Sequence, residues 1–253
     1  MSRKLFLILA ALCCFSAPAV VHADLADVIV RIKPSVVLVG TYRFSDSPRF
    51  TFRGTGFVVG DGNFAITNAH VLPDAADDPG KTIALQVWVP PNQWNLRQVK
   101  VVNVDRRHDL ALLAFDGASV SPVKLASGLP REGVNIAFMG FPIGGALGYS
   151  QVTHRGIVSS IAGIALPAPS SQQLNERAVQ QLRLGSFDVL QLDATAYPGN
   201  SGGPIFDSDT GVVIGVINSV LVKGSRESAL TQPSGISYGI PVEHVVQLLR
   251  GQP

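Results

Sequence analysis

Residues 197–214 read YPGNSGGPIFDSDTGVVI, and this stretch decides between two folds that can present a reactive serine. Glycines around Ser201 let the backbone approach a substrate closely and let successive N–H groups point at one spot. The residues from Pro204 onward form two apolar runs around a turn at 208–211, which predicts a β-hairpin. The G-x-S-x-G elbow of α/β-hydrolases is followed instead by a helix, then an acid and a histidine. Only His244 follows here, so the hairpin favours an all-β fold.

The rest of the sequence repeats the same pattern of short strands. Runs such as SVVLVGTYRF (35–44), TIALQVWV (82–89) and VNIAFMG (134–140) are rich in Val, Ile and other strand formers, and turn residues bound them. Because such runs recur along the chain without helical patterns between most of them, they favour a β-barrel or sandwich over an α/β sheet.

Apolar spacing predicts a helix at each end of the strand region. The first follows Asp24, a candidate N-cap, and ends before Pro34; its apolar stripe consists of Leu25, Val28, Ile29 and Ile32. The second follows Pro241, and its stripe consists of Val242, Val245, Val246 and Leu249. The strand pattern lapses between 165 and 187, where we predict a loop with a short helix.

Residues 1–23 have the features of a secretory signal peptide: a basic start, an apolar run and a small-residue end at Ala23. A retained signal anchor is the alternative. Removal of this segment takes away both cysteines, Cys13 and Cys14, so no disulfide or thiolate metal site is expected. It also takes away two of the 20 basic residues and none of the 18 acidic ones, which leaves 18 of each sign. This balance does not indicate a nucleic-acid partner.

Three residues have the chemistry of a serine-enzyme triad. Ser201 needs a base to accept its proton, and the neutral imidazole of a histidine suits this role. His70 ends the apolar run FAITNA, where a loop can present it. A carboxylate must orient that imidazole, and Asp109 opens the apolar run LALLAF. The chain order His, Asp, Ser differs from that of α/β-hydrolases and subtilisins.

Each assignment has a purely structural alternative. Glycine, asparagine and serine are ordinary turn formers, so the Ser201 loop alone is a weak signal. Asp109 alone could simply cap a strand end. The remaining mature histidines are interpreted as structural, and two other aspartates are weaker candidates for the acid; these residues are His108, His154, His244, Asp105 and Asp116.

Five blocks resemble the protease domain of the HtrA/Deg family: GTGFVV (54–59), TNAHV (67–71), HDLALL (108–113), GNSGGP (199–204) and SYGIP (237–241). The resemblance runs from about Asp24 to the end and implies a trypsin-like serine endopeptidase. It implies two six-stranded antiparallel β-barrels with the active site between them. The first would span 24–125 with His70 and Asp109, and the second 126–253 with Ser201 and the terminal helix.

The resemblance also implies the groups around the triad. The backbone N–H groups of Gly199 and Ser201 match the family's oxyanion-hole donors. The specificity pocket would be lined by Thr195, Ala196, Asn218, Ser219 and Val220. None of these side chains is charged, so we expect cleavage after a neutral, small-to-medium apolar residue. No metal or organic cofactor is expected.

Two departures limit what can be carried over. HtrA proteins usually have a PDZ domain after the protease domain, whereas this sequence stops at Pro253. Regulation through such a domain is therefore not expected, and a trimer or other homo-oligomer stays open. Trypsin-like zymogens use an aspartate before the serine, where this chain has Asn200, so activation by that ion pair is not expected.

The expected partners are polypeptides, such as unfolded or damaged exported proteins, with no nucleic acid and no membrane after signal removal. The bacterial periplasm is the first expectation for location, and the extracellular space the second. A chaperone-like binding protein with little turnover and an esterase with the same triad are the alternative functions.

Overall fold

A computed structural model of the chain describes residues 24–73, 80–89, 93–144, 148–163, 187–219 and 235–251. These residues form two closed antiparallel β-barrels, as the resemblance implied. The first barrel contains β1 Val36–Tyr42, β2 Phe50–Val59, β3 Phe64–Asn68, β4 Thr82–Val89, β5 Gln93–Asp105 and β6 Leu110–Phe115. The second contains β7 Asn135–Gly140, β8 Val152–Gly163, β9 Asp188–Asp193, β10 Pro204–Asp207, β11 Val213–Asn218 and β12 Ile236–Pro241.

The strand neighbours are the same in the two barrels. The order around the first is β1-β2-β3-β6-β5-β4, and around the second it is β10-β11-β12-β9-β8-β7. The hairpin predicted after Pro204 is confirmed, because β10 and β11 pair across the turn at 208–212. The predicted signal segment 1–23 lies outside the described residues, as does the predicted loop helix between 165 and 187, apart from Phe187.

The position of strand β6 between the two barrels explains why its sequence is an unbroken apolar run. Successive side chains of a strand point to opposite faces. Leu113 and Phe115 pack into the interior of the first barrel, whereas Leu110 and Leu112 pack against residues of the second barrel. Both faces of β6 are therefore buried, and Asp109 stands directly before this strand at the junction of the barrels.

The two predicted helices are confirmed, and each packs across the junction. Helix α1, Leu25–Ile32, is capped by Asp24, whose carboxylate accepts the Ala26 N–H at 3.3 Å. Its Val28 and Ile32 are buried. Burial of each side chain stabilises the fold by about 1.5–3 kcal/mol. They lie near Gly211 in the turn between β10 and β11, so the N-terminal helix contacts the second barrel.

Helix α2, Val242–Arg250, packs on both barrels. It buries one face, formed by Val242, Val245 and Leu248, against β11 and β12 of the second barrel and β5 and β6 of the first. In the described part of the chain, no helix is both long and apolar enough to cross a bilayer.

A histidine of α2 stacks on a histidine of the first barrel. The rings of His244 and His108 are 3.7 Å apart between centroids and tilted by 13°. His108 is held by Asp105, whose carboxylate lies 2.6 Å from its Nδ1. Burial alone would raise the pKa of Asp105, but the hydrogen bonds from His108 and its charge outweigh burial and lower it.

We expect acid to weaken this contact between helix and barrel. Burial, and then the charge of His108, lower the pKa of His244, while Gln247, Asp105 and Glu243 oppose the shift. An unfolded histidine titrates near pH 6.5, so below that pH the unfolded chain binds more protons than the folded one. The melting temperature should therefore fall on acidification through this range. His244→Phe keeps an aromatic ring but cannot titrate. Between pH 7.5 and pH 5.5 its melting temperature should therefore fall by a few degrees less than that of the wild-type protein. An equal drop in both proteins would contradict the assignment.

Candidate active site

The loop that carries Ser201 is anchored to both barrels. The Ser201 carbonyl accepts the N–H of Thr55 from β2 at 2.9 Å, and the Gly202 N–H donates to the Ile217 carbonyl of β11 at 3.0 Å. Gly202 has φ +87°, and a Cβ there would lie 2.1 Å from the Thr55 carbonyl oxygen. Glycine is therefore required at this position, because only it fits both the backbone angle and the space.

His70 and Asp109 stand at neighbouring strand ends. β3 and β6 pair with Asn68 opposite Leu110, so the residues that follow and precede these positions come together. The Asp109 carboxylate lies 2.5 Å from His70 Nδ1 through Oδ2 and accepts the His70 backbone N–H at 2.9 Å through Oδ1. Asp109 has φ +53°, a left-handed conformation that aspartate tolerates better than most residues. With Nδ1 paired to the acid, Nε2 is the nitrogen left to accept a proton.

Two consecutive residues at the end of β11 connect the acid to the serine. Asn218 donates from Nδ2 to Asp109 Oδ2 at 2.8 Å. The hydroxyl of Ser219 is hydrogen-bonded to that of Ser201, and the Ser219 N–H donates to Ser201 Oγ at 3.3 Å. No hydrogen bond joins His70 to Ser201 among the described residues. If His70 is to accept the Ser201 proton, as the sequence predicts, the hydroxyl must turn from Ser219, an adjustment common when substrate binds.

The backbone before Ser201 is arranged by contacts with the segment after β7. The carbonyl of Pro198 accepts the Ile143 N–H at 2.8 Å, and the carbonyl of Gly199 accepts the Thr55 hydroxyl at 2.6 Å. Gly199 has φ +101°, and a Cβ there would lie 2.3 Å from the Phe141 carbonyl oxygen. Within the described ranges the N–H groups of Gly199 and Ser201 donate to no protein group. The oxyanion-hole role of these two groups stays a prediction.

Comparison with known proteins agrees with this geometry. A sequence profile described as "Trypsin-like peptidase domain" matches residues 54–216, which include all three candidate triad positions. The chain belongs to this family. The HtrA/Deg resemblance is confirmed as well, because similar proteins include a probable periplasmic DegP-like serine endoprotease of Pseudomonas putida, 28% identical over 195 residues, and the mitochondrial serine protease HTRA2 of Drosophila grimshawi, 30% identical over 234 residues.

The aligned parts differ in extent between the chain and its relatives. The two relatives cover 77% and 91% of this chain, whereas the chain spans only 33% and 46% of their lengths. The crystal structure of Deg5 matches more evenly, with a TM-score of 0.62, 26% identity, and coverage of 88% of this chain and 90% of that one. The likeness to Deg5 therefore extends over most of both chains.

The pocket predicted for this trypsin-like domain is partly described. Ser237, from β12, donates its hydroxyl to the Ala194 carbonyl at 2.7 Å and accepts the Ala196 N–H at 2.8 Å, so it braces the segment that carries Thr195. The Asn218 side chain is directed at Asp109 instead, and Val220 lies outside the described residues. Among the described residues, no cluster of three or more His, Cys, Asp or Glu side chains is arranged to hold a metal ion.

Sequence reasoning placed Asn218 in the pocket and missed its contact with Asp109. The sequence held one signal, because Asn218 ends the apolar run VIGVIN and an apolar run predicts a buried strand; in the structure Asn218 is 1% exposed. A buried carboxamide needs hydrogen-bond partners. Asn218 closes one apolar strand and Asp109 borders another. A hydrogen bond between these two residues was therefore a pairing to consider.

We expect Asn218→Ala to lower kcat about tenfold without a comparable change in KM, since a hydrogen bond to a charged group contributes about 1.5–3 kcal/mol. The loss would free the Asp109 carboxylate to rotate away from His70. The measurement is the initial rate on fluorescein-labelled casein over a range of concentrations. Asn135→Ala, at the exposed start of β7, is the matched control. An unchanged kcat in Asn218→Ala would show that Asp109 does not depend on this bond.

Proposed function

We propose that this chain is a serine endopeptidase in which Ser201 is the nucleophile, His70 the general base and Asp109 its orienting acid. The observation that carries the proposal is a pair of hydrogen-bonded groups joined by the chain. His70 bonds to Asp109 and Asp109 to Asn218, while the next residue, Ser219, bonds to Ser201. These residues come from both barrels, and Ser201, His70 and Asp109 are the residues singled out by their chemistry in the sequence. Membership of the trypsin-like peptidase family supports the same assignment.

The proposed reaction follows from the positions of these groups. Ser201 turns from Ser219, gives its proton to His70 Nε2 and attacks the peptide carbonyl carbon. The oxygen of the tetrahedral intermediate becomes negative and is stabilised by the N–H groups of Gly199 and Ser201. When the C–N bond breaks, His70 protonates the departing amine. Water, deprotonated by His70, then attacks the acyl-enzyme, releases the acid product and restores Ser201. Asp109 stabilises the imidazolium in both halves of the reaction.

The substrates we propose are exported polypeptides, chiefly unfolded or damaged ones, cut after a neutral apolar residue. The uncharged residues Thr195 and Ala196 support this preference, since the predicted pocket base offers no partner for Arg or Lys. Residues 1–23 support export, and the Pseudomonas putida relative is described as probably periplasmic. Other relatives are described as mitochondrial or chloroplastic, so the periplasmic location rests on the predicted signal segment.

The experiment that tests the proposal is labelling with a fluorophosphonate probe followed by mass-spectrometric mapping. We expect one modified residue, Ser201, in the native protein and none after heat denaturation. Protein that has not been treated with the probe should digest casein, and labelled protein should not. The cut sites that the untreated protein makes in a mixture of folded and unfolded proteins give the pocket preference. Absence of labelling would favour a binding protein without turnover. Labelling with hydrolysis of simple esters but no cleavage of casein would favour an esterase, and cuts mainly after Arg would refute the proposed preference.

A further inference from the structure

A buried carboxamide lies directly behind the candidate nucleophile. Asn200 precedes Ser201 and is 0% exposed. Its backbone is held inside the loop, since its N–H donates to the Tyr197 carbonyl at 3.0 Å and its carbonyl accepts the Gly203 N–H at 2.9 Å. The side chain lies against two strands of the second barrel, beside His154 of β8 and Gly140 at the end of β7. A contact that fixes this side chain therefore also helps to orient the peptide group between Asn200 and Ser201, which carries the Ser201 N–H.

One side chain among the described residues bonds to that carboxamide, and it is His154. Asn200 Nδ2 lies 3.3 Å from His154 Nε2, while Asn200 Oδ1 is buried with no partner in the described part of the chain. Space around the carboxamide is limited, because a Cβ on Gly140 would lie 2.8 Å from Oδ1. The bond to His154 is therefore the polar contact that fixes the orientation of this group.

His154 is itself held in place by aromatic rings. It lies on β8 opposite Phe138 of β7, and its ring stacks on Phe138 with centroids 4.7 Å apart and planes tilted by 16°. Tyr197, at the start of the Ser201 loop, is 5.8 Å from the same ring. Burial lowers the pKa of His154 and so favours the neutral ring, which can accept the Asn200 N–H through Nε2.

We propose that His154 is a positioning residue that holds residues 197–201 in their reactive arrangement through Asn200. In this role it contacts neither substrate nor the reacting atoms. It anchors the side chain of Asn200, and the backbone of Asn200 leads to the Ser201 N–H. Without this contact, Asn200 would have no side-chain partner among the described residues, and the loop could turn an N–H away from the oxyanion. This inference rests on the proposed peptidase function and adds a residue to its machinery.

The test compares two replacements of His154. His154→Phe keeps the aromatic packing and removes the hydrogen bond, whereas His154→Gln can restore a donor and an acceptor. We expect His154→Phe to lower kcat on fluorescein-labelled casein about 10–100-fold with KM changed less than about threefold, the scale of a misplaced catalytic group. His154→Gln should recover most of that loss. His244→Phe, which alters the stacked pair with His108 and leaves the contact of His154 with Asn200 intact, should keep wild-type kcat.

Each outcome decides the inference. Wild-type kcat in His154→Phe would overturn it, as would an equal loss of kcat in a well-folded His154→Gln. If His154→Phe fails to fold, Asn200→Ala tests the bond from its other side, and an unchanged kcat there would also overturn the inference. Because both changes remove the same contact, the double variant should lose no more than the worse single one. A wild-type protein that neither reacts with fluorophosphonate nor cleaves casein would instead refute the proposed function itself.

Discussion

Ser201→Ala is expected to lower kcat for casein hydrolysis by about a millionfold, because loss of the nucleophile removes the covalent route altogether. Fluorophosphonate labelling should disappear with it. The fold should be retained, because the Ser201 backbone contact to Thr55 does not involve the hydroxyl and only the two hydrogen bonds to Ser219 are lost. The residual rate would come from substrate binding and the two oxyanion N–H groups.

The control for this change is another buried serine. Ser208 is 3% exposed and lies in the turn between β10 and β11, where its hydroxyl contacts Asp209. Ser208→Ala should keep wild-type labelling and kcat. Casein cleavage that persists in Ser201→Ala at more than about a thousandth of the wild-type rate would assign the chemistry to another residue.

The fold was largely predictable because its signals are local. The spacing of Leu25, Val28 and Ile32 predicts α1, and the apolar positions after Pro241 predict α2. The turn at 208–211 predicts the β10–β11 hairpin. Which strands close each barrel is not a local property, and that prediction came from the family resemblance. The packing of α1 against the second barrel was not predicted, since an apolar stripe does not indicate which surface will cover it.

The site likewise contains residues that local sequence predicts and contacts that it does not predict. His70, Asp109 and Ser201 could be predicted because their chemistry and their flanking strands appear in short blocks. Asn218 lies 109 positions from its partner Asp109, and His154 lies 46 positions from Asn200. Such pairs depend on how two barrels and their loops meet, which no local pattern contains. His154 was accordingly interpreted as structural, and only its contact with Asn200 indicates a further role.

Asp109→Asn is expected to lower kcat about 10⁴-fold while leaving the fold intact, the scale seen when the histidine is held in the wrong tautomer. The neighbours of this carboxylate explain why the amide cannot replace it. Oδ1 accepts the His70 backbone N–H, and Oδ2 faces His70 Nδ1 and Asn218 Nδ2. An amide NH₂ at the first position would face a donor. At the Oδ2 position the NH₂ would face the Asn218 donor and would donate to His70 Nδ1. The imidazole would then carry its proton on Nε2, and a protonated Nε2 cannot accept the Ser201 proton.

A second aspartate supplies a matched comparison for this prediction. Asp105 contacts the His108 backbone N–H at 3.1 Å and its Nδ1 at 2.6 Å, nearly the geometry of Asp109 with His70. In the described part of the chain, no serine bonds to this pair. Asp105→Asn should therefore keep kcat near the wild-type value, although this pair is also partly buried. Equal losses of kcat in the two variants would mean that general disturbance of the β5–β6 turn, rather than the imidazole tautomer, limits the reaction, and Asp109 would then not be the orienting acid.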